Sequence, residues 1–211
     1  MSTPGAPPSA IALDPALRAR LHAVAEEGRD FFDRFDLEVR QEHFHPFVPA
    51  DYENVLAALL PLRAPGLRFL EWGSATGVIT IMADLLGFEA YGIELDPRLV
   101  ETARELALRH GSGARFAAGS FLPAGYRYRP RSGDSRLGTI GDGESGYRAL
   151  GHPLDDFDVV YGYPWGGEEP MMLDLMRAYG SPDARLLLLI GSEMRVYRGG
   201  RLVSTPAPRA A

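Results

Sequence analysis

Small residues mark the stretch of the chain that is best suited to hold a ligand. Gly73, Ala75 and Gly77 follow the apolar run 68–72 and precede a helical pattern. A turn with so little side-chain volume allows a ligand to lie directly against peptide N–H groups at a helix N-terminus. The spacing therefore predicts a loop that binds its ligand through the main chain.

A second predicted strand ends in a carboxylate. Residues 89–97 read Glu-Ala-Tyr-Gly-Ile-Glu-Leu-Asp-Pro, which places Glu94 at the tip of that strand. In dinucleotide-type arrangements an acid at this position binds ribose hydroxyls. A glycine-rich turn alone is weak support for a site, but the turn and the acid together predict a ligand that contains ribose.

At these residues the chain resembles the class I S-adenosylmethionine-dependent methyltransferases. Their glycine-rich motif reads acid-x-Gly-x-Gly-x-Gly, and the matching positions are Glu71, Gly73, Ala75 and Gly77, with alanine in place of the middle glycine. Their second motif is a strand that ends Gly-Ile-acid, as 92–94 does here. The resemblance covers about residues 49–190, the size of one α/β domain, and it implies S-adenosylmethionine as the cofactor.

The resemblance also implies which residues bind the cofactor. They lie at the tips of the first four predicted strands and are Glu71, Gly73, Ser74, Ala75, Gly77, Glu94, Leu95, Ser120, Phe121 and Tyr161. Family members often carry an acid after the third strand to bind the adenine amino group, and Ser120 can hydrogen-bond there instead. Phe121 could stack on the adenine ring or could equally belong to the core.

In the family, the loop after the fourth strand faces the transferable methyl group. Amino-methylating members commonly read Asp or Asn, then Pro-Pro, then an aromatic residue, whereas 162–165 reads Gly-Tyr-Pro-Trp. The missing acid or amide argues against methylation of an exocyclic base amine. The same segment still offers aromatic side chains that could align an acceptor with the methyl group.

Four residues of this region are the candidate catalytic residues: Tyr163, Trp165, Glu168 and Glu169. The two aromatic rings would flatten the acceptor against the methyl group, and nearby π-faces favour the sulfonium. Either glutamate could accept a proton from the nucleophile. Alternatively, both glutamates stabilise the start of the following helix through its dipole.

Composition limits the partners. The 211 residues include 22 basic residues, all of them arginine, and 28 acidic residues, for a net charge of −6. This balance makes nucleic acid an unlikely partner and leaves a small-molecule or protein acceptor. The absence of cysteine excludes disulfides, a thiolate nucleophile and a cysteine-zinc site. No apolar run is long enough to cross a membrane, so a cytoplasmic location is expected.

The segment Glu42-His43-Phe44-His45 suggests a metal site at first sight. The two histidines alternate on an extended segment and no matching third ligand follows, so we expect no metal. In the family, the segment before the first domain helix often folds over the methionine end of the cofactor, a role open to Phe47.

The predicted fold class is α/β, a doubly wound, mostly parallel, Rossmann-like methyltransferase sheet with N-terminal helices and a C-terminal β-hairpin. The predicted organisation is a disordered tail over 1–10, a helical extension over 11–48, the S-adenosylmethionine-binding methyltransferase domain over 49–205 and a loose tail over 206–211. Within the domain, the glycine-rich residues 122–156 are predicted to form a lid or insert.

Two helices that the family fold normally carries are missing, one after the third strand and one after the fifth. A parallel sheet needs both faces covered. We therefore expect the 122–156 insert, the N-terminal helices or a second subunit of a homodimer to fill the gap.

Two other functions remain open. A nicotinamide-dependent oxidoreductase is disfavoured because the loop lacks the G-x-G-x-x-G spacing and because no Tyr-Lys pair is possible without lysine. A non-catalytic cofactor-binding partner on a methyltransferase scaffold stays possible, since fold alone does not establish activity.

Overall fold

The computed structural model of the protein describes residues 13–39, 48–127, 143–165 and 167–204. Its helices are α1 (Pro15–Val39), α2 (Tyr52–Leu59), α3 (Val78–Leu85), α4 (Pro97–Arg109), α5 (Tyr147–Leu150) and α6 (Glu169–Tyr179). Its strands are β1 (Arg68–Trp72), β2 (Glu89–Glu94), β3 (Arg115–Ala118), β4 (Val159–Gly162), β5 (Arg185–Ile190), β6 (Glu193–Arg198) and β7 (Arg201–Ser204). Short 3₁₀ turns lie at Leu60–Leu62 and Leu154–Asp156.

The seven strands form one sheet in the order β3-β2-β1-β4-β5-β6-β7. Strands β1 to β5 are parallel, and β6 and β7 are antiparallel. The predicted doubly wound fold with a C-terminal hairpin is confirmed. The chain order reverses between β1 and β4, and ligands of such sheets bind outside the carboxyl ends of the strands at that point.

Side-chain caps fix the helices that border this edge. The Asp51 side chain accepts a hydrogen bond from the Asn54 N–H at 3.1 Å, at the start of α2. The Asp96 side chain accepts one from the Arg98 N–H at 2.8 Å, at the start of α4. Because each cap satisfies a backbone donor that the helix leaves unpaired, both helices begin at defined positions beside the site.

Different elements cover the two faces of the sheet. Helices α1 to α4 pack on one face, where Val24, Leu59 and Ile81 join Phe69 of β1. On the other face, α6 packs together with Tyr147 and Leu154 of the predicted insert and with Phe157, which follows it. The insert therefore covers the second face, whereas α1 lies on the face that α2 to α4 already occupy.

Several predictions concern residues outside the described ranges. They include the two tails, residues 128–142 of the predicted lid, and His43, His45 and Phe47. The predicted roles of these residues stay predictions. Among the described residues, no helix combines the length and apolar character needed to span a membrane.

One buried hydrogen bond joins the insert to the sheet, and its loss should destabilise the protein. The Trp72 indole N–H donates to the Tyr147 hydroxyl at 2.8 Å. In the Tyr147→Phe variant that donor is left buried without this partner, so we expect the free energy of unfolding to fall by about 1–3 kcal/mol. Denaturant titration measures this, with Tyr179→Phe on the more exposed part of α6 as the control. Equal stabilities of the two variants would contradict the assigned contact.

Candidate active site

The glycine loop folds back over the end of β2. The Gly73 and Ser74 N–H groups donate to the Ile93 carbonyl at 2.9 and 3.0 Å, and the Gly77 N–H donates to the Ser74 carbonyl at 2.7 Å. These bonds place residues 73–77 directly above the tip of the neighbouring strand. The loop leads into α3, whose N-terminus has no side-chain cap.

The backbone conformation and the close neighbours at position 77 require glycine. Its φ is +77°, and an added Cβ would lie 2.6 Å from the Phe116 ring and 2.8 Å from the Ala103 Cβ. Residues other than glycine rarely adopt such a φ. In addition, the Phe116 ring is buried and cannot move aside into solvent. The glycine thus lets the start of α3 approach α4 and β3.

Ala75 adopts a left-handed conformation with a φ of +46°. This conformation costs a non-glycine residue about 1–2 kcal/mol. The Ala75 N–H donates to the Glu94 carboxylate at 2.8 Å, which offsets part of that cost. The loop therefore holds alanine, in a left-handed conformation, at the position that corresponds to the family's middle glycine.

Glu94 has a second role that the sequence did not reveal. Its Oε2 accepts from Ala75, and its Oε1 accepts from the Asp96 N–H at 3.0 Å. Burial raises the pKa of Glu94, while these backbone hydrogen bonds oppose the rise. Each carboxylate oxygen keeps a further lone pair that a ribose hydroxyl could use. Glu94 therefore anchors the loop and remains suited to its predicted role. The adjacent predicted residue, Leu95, lies beside Gly143 of the insert.

Glu71 is a buried carboxyl group at the end of β1. Only 4% of its surface is exposed. Its Oε2 accepts hydrogen bonds from the Thr80 N–H at 2.9 Å and from the Thr80 hydroxyl at 2.5 Å. Burial outweighs these bonds and raises the pKa of Glu71 to about 8. The carboxyl group is therefore mostly protonated and neutral at pH 7.

A cavity of about 40 Å³ lies beside this carboxyl group. Its lining includes Glu71, Ser74, Thr76, Tyr161 and Tyr163. Three of its hydroxyl oxygens are buried and have no hydrogen-bond partner among the described residues: Ser74 Oγ, Thr76 Oγ1 and the Tyr161 hydroxyl. Since buried polar groups are nearly always paired, these hydroxyls mark a place where a ligand or water completes the structure.

Tyr52 also lines the cavity, although the sequence reasoning did not select it as a site residue. It is the first residue of α2 and is buried. Burial is the main cause that raises the pKa of Tyr52, and the nearby Glu71 carboxylate adds to the rise. The sequence places Tyr52 at the start of a predicted helix, directly after Asp51. Its position in the cavity depends on the packing of α2 against α3, which no local pattern shows.

Ser120 and Phe121 are packed into the protein. The Ser120 Oγ accepts from the Leu122 N–H at 3.1 Å, and its backbone N–H and carbonyl bond with the insert at Glu144 and Gly146. Phe121 is buried and stacks on Trp72, with ring centroids 5.3 Å apart. Ser120 thus joins the end of β3 to the insert, and Phe121 packs against β1. Their predicted contact with adenine stays a prediction.

Both candidate glutamates make structural contacts at the start of α6. The Glu168 Oε2 accepts from the Trp165 N–H at 3.0 Å, and the Glu168 N–H donates to the Trp165 carbonyl at 2.9 Å. These two bonds close the turn of residues 165–168 that precedes α6. Glu169 accepts from the Tyr197 hydroxyl at 2.7 Å and from Arg195 at 3.2 Å. These contacts agree with the alternative role at the helix start.

The structure brings Tyr163 and the predicted cofactor residues together, because Tyr163 lines the same cavity as Glu71 and Ser74. Trp165 follows in the loop that Glu168 holds. Among the described residues, no group of three or more histidine or acidic side chains is arranged to bind a metal ion.

The raised pKa of Glu71 predicts a pH-dependent stability. A carboxyl group whose pKa is higher in the folded than in the unfolded protein binds its proton more tightly when folded, so its stabilising contribution is present at low pH and is lost as pH rises toward 8. Relative to Glu71→Gln, the wild type should lose about 1.4 kcal/mol of unfolding free energy per pH unit between about pH 5 and pH 7.5.

Denaturant titrations of the two proteins across that range measure the difference, in which the other titrating groups cancel. Parallel curves would show that the Glu71 carboxyl group titrates normally. The glutamine oxygen can still accept both hydrogen bonds from Thr80, so the variant tests charge rather than packing.

The chain was compared with known proteins. No family model matches it. Over 69 residues, 33% of the chain, it is 38% identical to ribosomal protein L11 methyltransferase of Thermus thermophilus. The match covers 27% of that relative, about a quarter of its length.

Two solved structures illustrate the structural similarity. An RNA methyltransferase from Salinibacter ruber, in complex with S-adenosyl-L-homocysteine, has a TM-score of 0.48 and 20% identity over 67% of this chain and 76% of that one. Precorrin-6y C5,15-methyltransferase from Geobacter metallireducens has a TM-score of 0.46 and 16% identity over 70% and 68% of the two chains. The chain is thus similar to a methyltransferase over a third of its length. Its sheet order, and the glycine loop held by Glu94 of the neighbouring strand, agree with the fold that the resemblance to class I S-adenosylmethionine-dependent methyltransferases implies.

Proposed function

We propose that the protein is an S-adenosylmethionine-dependent methyltransferase that acts on a small molecule or a protein side chain. The observation that supports this most directly is the cavity beside the glycine loop, where three buried hydroxyl groups have no hydrogen-bond partner within the part of the chain that the structure describes. A ligand that enters there from the carboxyl edge of the sheet would supply the missing hydrogen bonds.

The residues present fit the cofactor. Glu94 would hold the ribose hydroxyls, the loop 73–77 would lie against the adenosyl group, and Glu71 with Ser74 would meet the methionine end. When bound, S-adenosylmethionine supplies a methyl group activated by a sulfonium. The cavity, at about 40 Å³, holds little more than one water molecule. Binding therefore requires the rim, which includes Val48 and Tyr163, to move outward.

Alignment is the main task that remains for the protein. In-line transfer gains most from holding the reacting atoms in position and from excluding water. Tyr163 and Trp165 would position the acceptor, and the hydrogen bond from the Trp165 N–H to the Glu168 side chain keeps the Trp165 backbone in place. Because Glu168 and Glu169 are already engaged in structural contacts, we assign proton acceptance to them only if the acceptor displaces those contacts.

The acceptor class follows from charge and similarity. The net charge of −6 disfavours nucleic acid. The local identity to an enzyme named for a ribosomal protein favours a protein acceptor, although the match covers only about a quarter of that relative.

The proposal also includes a cytoplasmic location and a homodimer. Light scattering after size-exclusion chromatography tests whether the protein is a dimer.

A second function has one observation in its favour. The segment 162–165 lacks the family's acid or amide, and both following glutamates are held by the protein. A non-catalytic cofactor-binding partner would retain the loop and Glu94 while losing these groups.

Binding and transfer assays separate these functions. We expect calorimetry to detect binding of S-adenosylmethionine and not of NAD, and we expect label from the methyl group to enter a peptide or metabolite extract. Cofactor binding without any transfer would favour the non-catalytic partner. Absence of cofactor binding would contradict both.

A variant of Tyr163 tests the assigned alignment. Tyr163→Ala should lower the rate of methyl transfer on the order of 100-fold, because small misplacements of the reacting groups have effects of this size. Affinity for the cofactor should change by less than about threefold, since most of the cofactor contacts lie elsewhere. Leu202→Ala, at an exposed position of the edge strand, is the control. Loss of cofactor binding in Tyr163→Ala would reassign the residue to the cofactor site.

A further inference from the structure

A cavity of about 470 Å³ lies between the insert and the end of α6, on the face of the sheet opposite to α3. It shares no lining residue with the cavity beside the glycine loop. Its volume is within the range of cavities that hold small molecules. We propose that it is a second ligand site, which binds a small zwitterion with an apolar body, the class of the apolar amino acids. This inference does not depend on the proposed function.

Apolar side chains in fixed positions line this second cavity. Tyr147 and Leu154 line it and are buried in the core of this face. Tyr179 lines it from α6 and is 38% exposed. The Tyr179 ring packs edge-on against the Tyr126 ring, with centroids 6.0 Å apart, and the Tyr126 hydroxyl donates to the Asp174 carboxylate at 3.0 Å. The apolar body of a ligand would therefore meet a surface that is already formed.

Two opposite charges border the same cavity. Arg148 and Asp155 line it and are exposed. Neither side chain forms an ion pair or a hydrogen bond with the other, or with any further residue that the structure describes. The Ser145 hydroxyl, a hydrogen-bond donor and acceptor, also lines the cavity. A carboxylate on the ligand would pair with Arg148, and an ammonium group would pair with Asp155.

The end of α6 adds to the preference for a cation on one side of the cavity. Ala178 and Tyr179, the last residues of this 11-residue helix, line the cavity together with its C-cap, Gly180. The last carbonyl groups of a helix have no donor within the helix, and they attract positive charge. Asp155 and the helix end thus favour an ammonium group, whereas Arg148 favours a carboxylate.

The balance of these charges determines the class of ligand. A compound with only a carboxylate would leave Asp155 without a partner, and a compound with only an ammonium group would do the same to Arg148. Because both side chains are exposed, each ion pair contributes modestly. We therefore expect each charge of the ligand to raise its affinity by about threefold to fivefold.

An NMR titration with three compounds that carry the same ring tests this charge requirement. L-phenylalanine has both charges, 3-phenylpropionate has only the carboxylate, and 2-phenylethylamine has only the ammonium group. L-phenylalanine should bind about threefold to fivefold more tightly than either of the others. Any other order of affinities, including no binding of L-phenylalanine, would overturn the inference.

Two variants assign each charge of the ligand to its partner. Arg148→Gln should weaken the binding of L-phenylalanine and 3-phenylpropionate by about threefold to fivefold and leave 2-phenylethylamine unaffected. Asp155→Asn should weaken L-phenylalanine and 2-phenylethylamine and leave 3-phenylpropionate unaffected. Arg18→Gln, at an exposed position of α1 on the other face, is the control and should change none of the three affinities. Wild-type affinities in both cavity variants would overturn the inference.

Competition with S-adenosylhomocysteine distinguishes the two cavities. Since they share no lining residue, a saturating concentration of this compound should not displace L-phenylalanine. Displacement would place the amino acid in the cavity beside the glycine loop and would overturn the inference, while the proposed function would stand. If S-adenosylhomocysteine does not bind, the proposed function fails and the two cavity variants still decide this inference.

Discussion

The close approach of the glycine loop to the end of β2 determines where every polar group of the site lies. Gly92 makes this approach possible, because a Cβ there would lie 2.7 Å from the Ser74 side chain. The Ile93 carbonyl and the Glu94 carboxylate then bind three successive N–H groups of the loop. A bulkier residue at position 92 would push the loop away from the strand and would separate Glu94 from Ala75.

The same packing places a carboxyl group where water does not reach. Glu71 lies at the end of β1, beneath α3, and only Thr80 donates hydrogen bonds to it in the described part of the chain. Burial of an acid without a cation is unfavourable, and the protein limits the penalty by keeping the group protonated. A ligand with a positive charge would remove the penalty. The hydroxyls of Ser74, Thr76 and Tyr161 have no hydrogen-bond partner among the residues that the structure describes, so a ligand in the same cavity could bond with them as well.

Much of the fold and the cofactor edge could be predicted from the sequence, because both depend on local patterns. The apolar run that forms β5, the glycine turn before α3 and the Gly-Gly turn between β6 and β7 are short-range signals. The position of Glu94 at a strand end predicts a ligand-binding acid. Its bond to Ala75 could not be predicted in this way, because that bond joins residues 19 positions apart.

Other features depend on tertiary packing that no local pattern encodes. The sequence supports two positions for Phe121 equally, against the adenine ring or in the core. Its stacking on Trp72 is a contact between residues far apart in the sequence, so it depends on tertiary packing. Tyr52 joins the cavity through the packing of α2 against α3 and β6. A glutamate just before a helix could serve as a catalytic base or could stabilise the start of the helix, and the sequence of 168–169 fits both roles. The contacts with Trp165, Tyr197 and Arg195 favour the structural role.

A crystal structure with S-adenosylhomocysteine bound tests the central claim most directly, since the claim is that an adenosyl ligand rests on loop 73–77 while Glu94 holds its ribose. We predict ribose hydroxyls within hydrogen-bond distance of the Glu94 carboxylate, the amino-acid end next to Glu71, and an outward shift of Tyr163 that enlarges the cavity. An adenosyl group bound away from the loop, or a Glu94 side chain that keeps its contacts with Ala75 and Asp96 while the ribose lies elsewhere, would contradict it.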